Sequence, residues 1–268
     1  MNKEEYKINK KKKAIESNVG KKNINYQGCE MEIIEYIDHL HIVVRFNDNY
    51  KYTCVVQPND FKKGSVSNNF YPSLYGVGMI GNTNTSIDNK KKKSYLTWKG
   101  MLARCYDSNN KAKSYYNKCA VCDEWLIFEN FEKWYNENYY EIDNKKMCLD
   151  KDILIKGNKI YSPQTCVFVS NEINTMFTKN NARRGKCVIG VYFNSRRKEK
   201  QYYALCRFNE KNQKIIGRYN TEIEAFKAYK IAKENHIKQV ADEYKSKYPN
   251  FPIKLYEAMY NYEVEITD

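Results

Sequence analysis

The chain has 268 residues and a formal net charge of +14, with 15% aromatic residues. That aromatic share excludes a disordered chain, and the length allows two or three small folded modules. The positive charge favours a polyanionic partner, because phosphates neutralised by lysine release counterions, and it argues against mimicry of DNA. A lysine-rich surface with no such partner is the alternative reading.

The first residues, MNKEEYKINKKKK, hold no apolar segment, and no apolar run in the chain approaches the ~18 residues of a membrane span. The nine cysteines are odd in number and scattered. Together these features predict a cytoplasmic protein in a reducing compartment, with free thiols or metal ligands rather than disulfides and no membrane partner.

In chain order, residues 1–22 carry Lys10 to Lys13 in a row and read as a solvated or disordered basic tail, with non-specific phosphate contact as its second reading. Residues 23–81 alternate apolar and polar positions around turn residues at Asp38 and Asn47-Asp48-Asn49, which predicts two or three antiparallel strands. Residues 82–93 are polar, end in four lysines and read as a linker.

Residues 94–180 form the next module. Tyr95, Trp98, Met101, Leu102 and Cys105 recur at helical spacing. Trp125, Phe128, Phe131 and Trp134, three apart, predict a second helix whose aromatic face belongs to the core. Met147 to Asn174, MCLDKDILIKGNKIYSPQTCVFVSNEIN, then reads as two apolar strands joined through Gly157-Asn158 and Tyr161-Ser162-Pro163 turns, followed by a helix. Cys119-x-x-Cys122 has the spacing of a zinc knuckle, but no second such pair and no nearby histidine accompany it.

Residues 185–248 predict three short strands and a helix. Thr221 and Glu224 form a capping box, Phe226, Tyr229, Ala232, Ile237, Val240 and Tyr244 make the inward face, and Pro249 and Pro252 follow the helix end near Tyr244. Residues 249–268 read as an acidic tail. The expected fold class is α+β: a small all-β module, a ββα module with helices, and a three-stranded sheet with a helix.

Three resemblances attach to these segments. Gly28, Met31, Ile34, Tyr36, Phe46, Phe61, Lys63-Gly64, Pro72, Tyr75-Gly76, Gly78 and Gly81 resemble a small β-module that precedes nuclease-like cores in phage proteins. The stretch 147–174 resembles the ββα-metal core of HNH endonucleases. Gly190-Val191, Tyr202, Ala204, Arg207, Ile216-Gly217, Tyr219, Thr221, Glu224-Ala225 and Ala228-Tyr229 resemble the Apetala-two domain of plant ethylene-response factors, which also accompanies HNH cores in phage and homing proteins.

The HNH resemblance implies one divalent ion, such as Mg2+, and a histidine general base. Here Asp150 falls at the acidic position, Lys151 at that of the base, Asn158 in the turn and Asn174 on the helix, with Thr165 where the family has a second asparagine. Asp150, Asp152 and Asn174 are the metal candidates, and strand alternation puts Asp150 and Asp152 on one face. An ordinary lysine is a poor base at neutral pH, and none of the three histidines, His39, His41 and His236, lies in this segment.

The Apetala-two resemblance implies that the open sheet face enters the major groove of double-stranded DNA. Alternation places Tyr192, Asn194 and Arg196 on one face, Arg207 keeps the family's residue type, and Arg197, Lys198, Lys200, Lys214 and Arg218 are candidates for phosphate contact. The reading is therefore a phage or mobile-element protein that binds duplex DNA on an HNH-like scaffold without its catalytic histidine. An active metal-dependent homing-type endonuclease and an inhibitor of a host nucleic-acid-binding protein are the alternatives.

Overall fold

The computed structural model describes residues 3–109, 118–143, 145–178, 186–208 and 212–268, in an α+β fold of small modules. Its contacts divide the chain into two units, one of residues 1–117 and 121–133, the other of 118–120 and 134–268. Among the described residues no helix is long and apolar enough to cross a membrane.

The first unit begins with an exposed helix, Lys3–Asn18, in place of the expected tail. A four-stranded antiparallel meander follows: Lys22–Ile24, Glu30–Tyr36, Ile42–Phe46 and Thr53–Val56. Its turns form where short polar side chains hold the backbone. Asp38 accepts from the N–H groups of Leu40 and His41, and Asp48 from those of Tyr50 and Lys51. Met31, Ile33, Ile42, Val44 and Phe46 are buried beneath Phe61 and Val66. Phe61 belongs to the helix Pro58–Lys63, closed by Gly64 at φ 68°. A Cβ there would meet the Ile24 carbonyl at 2.8 Å, so only glycine fits.

The stretch expected as a linker is instead ordered into this unit. Ser86–Ile87 pairs with Lys90–Lys91 across Asp88 and Asn89, both at positive φ as a tight hairpin turn requires. Lys92 then pairs with Glu132 at 3.0 Å, and Thr83 and Ser94 also donate to that carboxylate. The helix Lys93–Tyr106 buries Trp98, Met101 and Leu102, and the Trp98 indole donates to the Trp125 carbonyl. Trp125, Phe128 and Phe131 are fully buried, but not on the single helix expected: Trp125 lies in a short 3-10 turn, Asp123–Leu126, and the extended Ile127 separates it from the helix Phe128–Asn138.

The second unit contains both the expected hairpin-helix and the expected sheet. Met147–Asp150 pairs antiparallel with Val167–Ser170, and the helix Asn171–Phe177 follows, with the Ser170 hydroxyl accepting from Ile173 N–H at its start. Val191–Phe193, Tyr202–Arg207 and Gln213–Tyr219 form a three-stranded antiparallel sheet. Part of the expected turn at Asn209–Gln213 lies outside the described residues. The helix Glu222–Lys247 starts at the Thr221–Glu224 capping box.

That helix is long enough to serve two cores. Its first half packs Ala225, Phe226 and Tyr229 against Val191, Ala204 and Cys206 of the sheet. Its second half packs Ile237, Val240, Ala241 and Tyr244 against Ile153, Val167, Val169 and Ile173 of the hairpin-helix. The two segments that the sequence reading separates thus hang on one rod. Residues 249–268 are likewise no loose tail: Phe251, Leu255, Met259 and Val264 are buried, and the helix Ile253–Tyr260 packs on the long one.

Candidate nucleic-acid interface and carboxylate site

The hairpin-helix brings Asp150, Lys151, Asp152 and Asn158 together. The strand ends at Asp150, whose Oδ1 accepts from the N–H groups of Asp152 and Ile153, each at 2.8 Å. This tight turn, rather than the expected strand alternation, brings the two carboxylates close. Burial, and then the Asp152 carboxylate beside it, pushes the Asp150 carboxyl up to about 6. Lys151, only 7% exposed, places Nζ 3.1 Å from Asp152 Oδ2 and lies over the Tyr161 ring. Asn158 donates to the carbonyls of Lys151 and Ile160, both at 2.7 Å, and so ties the turn to the strand end. Thr165 closes the same loop by donating to the Ile160 carbonyl.

These residues do not fit a hydrolytic metal centre. An ammonium already stands on Asp152, and Asp150 turns one oxygen inward to two backbone amides. The half-buried Asn174 makes no hydrogen bond to either carboxylate, and no cluster of three or more His, Cys, Asp or Glu able to hold a metal occurs among the described residues. All three histidines lie outside the hairpin-helix segment. His41 pairs with Asp38, and His39 is exposed. His236 packs edge-on against Phe208, where burial lowers its pKa. Of the zinc-spaced pair, Cys119 is buried and Cys122 half-buried, and burial pushes the Cys122 thiol up.

The three-stranded sheet offers a different kind of site. Cross-strand pairing sets Tyr192 opposite Tyr203, and Tyr203 opposite Arg218, so all three share the face turned away from the helix. The two rings lie 5.5 Å apart at 21°, and the Arg218 guanidinium stands 5.4 Å from the Tyr203 ring. Arg207, on the same face two pleats beyond Tyr203, is exposed and makes no ion pair among the described residues. The opposite face is shaped for the helix. At Gly190, φ 70°, a Cβ would fall 2.1 Å from the Tyr229 ring, so only glycine fits there.

Not all the expected contact residues reach this face. Lys214 pairs with the buried Cys206, so it points to the helix side of the sheet and is exposed only at its rim. The strand ends at Phe193; Asn194 N–H still donates to the Gln201 carbonyl across the pair, but Arg196 lies in the following turn rather than on the strand face. There Asn194 Oδ1 accepts from Arg196 N–H, while Arg196, Arg197, Lys198 and Lys200 are exposed. Tyr203, the centre of the row, is absent from the sequence-based set. Counting back from Arg207 in steps of two would have found it. Comparison of the chain with family models, curated proteins and solved structures found no match.

Proposed function

We propose that this chain is a duplex-DNA-binding protein that reads DNA with the open face of its C-terminal sheet and carries the hairpin-helix as a non-hydrolytic scaffold. The observation that carries the reading is the row Tyr192–Tyr203–Arg218 with Arg207 beside it. Near-parallel rings 5.5 Å apart are stacked on one another rather than laid flat on the sheet. Their faces are thus partly used, and the row offers hydroxyl tips and guanidinium groups instead of stacking platforms. That suits edges and phosphates in a groove better than the unstacked bases of a single strand. Arg196, Arg197, Lys198 and Lys200 in the adjoining turn supply phosphate contacts. At the hairpin, Lys151 stands where the HNH resemblance has its histidine base and is tied to Asp152.

The test is selection from a random duplex library with and without Mg2+, sequencing both bound molecules and new ends. The expected result is an enriched sequence without new ends. Arg207→Ala should cost about 1–3 kcal/mol and relax preference at one position. New ends that require Mg2+ and vanish in Asp150→Asn and Asp152→Asn would make the protein an endonuclease instead. No enrichment at all would turn the reading to a host protein partner.

A further inference from the structure

We propose that the N-terminal helix Lys3–Asn18 is a second, sequence-independent phosphate grip, acting on the same duplex that the sheet is proposed to read. The inference rests on that reading for its partner but on separate residues for its support. The first 22 residues hold eight lysines against three glutamates. At ~100° per residue, Lys7, Lys10, Lys11 and Lys13 fall within an arc of about 160°, Glu4 borders that arc beside Lys11, and Glu5 and Glu16 lie opposite together with Lys12. Only the last turn is partly covered, at Ala14 and Asn18, and Lys7 and Lys10 to Lys13 are exposed.

The other lysine run shows what a committed run looks like. Lys92 is bound to Glu132, and Lys91 donates to Thr85 and rests over Tyr95. The helix lysines make no ion pair among the described residues. Exposed positive charge concentrated on one arc of a helix complements the regular negative charge of a nucleic-acid backbone. An anionic membrane surface fits less well. The glutamate side carries only Ile8 and Ile15 as large apolar residues, too little to bury a helix among acyl chains.

The experiment measures affinity for a random-sequence duplex across a salt series. It compares the full-length protein with a variant carrying Lys7→Gln, Lys10→Gln, Lys11→Gln and Lys13→Gln. Glutamine is about as good a helix former as lysine, so far-UV circular dichroism should match. If each lysine neutralises one phosphate, the slope of log affinity against log salt becomes shallower by about 3.6. The sequence preference selected from the library stays the same. An unchanged slope overturns the inference. So does loss of binding to phosphatidylserine vesicles with no change toward DNA. An unchanged slope beside altered preference in Arg207→Ala removes the helix grip alone. A shallower slope beside normal preference in Arg207→Ala removes the sheet reading alone.

Discussion

Replacing Asp150 by asparagine should stabilise this protein at neutral pH. The carboxyl is buried, and its pKa is raised from 3.8 to about 6, chiefly by burial and next by the Asp152 carboxylate. A raised pKa in an acid means that the folded protein holds the proton more tightly than the unfolded chain does. Stability is therefore greatest where both states are protonated. It falls as pH rises through the window from 3.8 to about 6 and stays low above it. A shift of about two units, at ~1.4 kcal/mol each, corresponds to ~3 kcal/mol. The Lys151 ammonium on Asp152 offsets part of the charge, so ~1–3 kcal/mol is the expected gain. Asparagine keeps the Oδ1 that accepts from Asp152 and Ile153 and removes the charge. Urea unfolding from about pH 4 to about pH 8 is the assay. Wild type should lose stability across the lower half of that range, and the variant should not. A variant less stable than wild type at about pH 7.5, or one with the wild-type pH slope, refutes the reasoning.

Three further outcomes are expected. Tyr244→Phe removes a buried hydroxyl that contacts Ser170, Glu172 and Lys145, and urea unfolding should show a loss of ~1–3 kcal/mol. Ile237→Ala opens a cavity at a fully buried position of the long helix, at a cost of about 2–5 kcal/mol. Because that helix serves both cores, amide exchange should accelerate together in Met147–Asp150 and Tyr202–Arg207; acceleration in the hairpin alone would show two independent folding units. Adding Mg2+ or EDTA should leave the thermal midpoint unchanged, since the carboxylates are already occupied by an ammonium and backbone amides. A rise with Mg2+ that Asp150→Asn abolishes would reverse that view.

Local pattern was legible wherever a residue's role depends on its near neighbours. The turns at Asp38 and Asp48 and the capping box at Thr221 and Glu224 follow from short-range hydrogen bonding, and the burial of Trp98, Met101 and Leu102 from helical period. What failed was inference across breaks in regular structure. Alternation carried past Phe193 misplaced Arg196, and alternation carried past Asp150 gave the wrong reason for the closeness of Asp152. Polar composition made residues 82–93 look like a linker, although a hairpin turn at two positive-φ residues and the half-buried Glu132 hold the segment.

The sequence by itself determined the α+β modules, their turns and caps, and the excess of positive charge, because these depend on composition and on neighbours a few residues apart. Only the tertiary structure decided that Tyr203 stands between Tyr192 and Arg218, that Lys214 faces away from them, and that Lys151 is buried against Asp152. It also decided that one helix joins the sheet to the hairpin. Strand register, the side a residue faces and the charge that neutralises a buried group are set by contacts between segments distant in the chain. A single sequence carries no local signal for them.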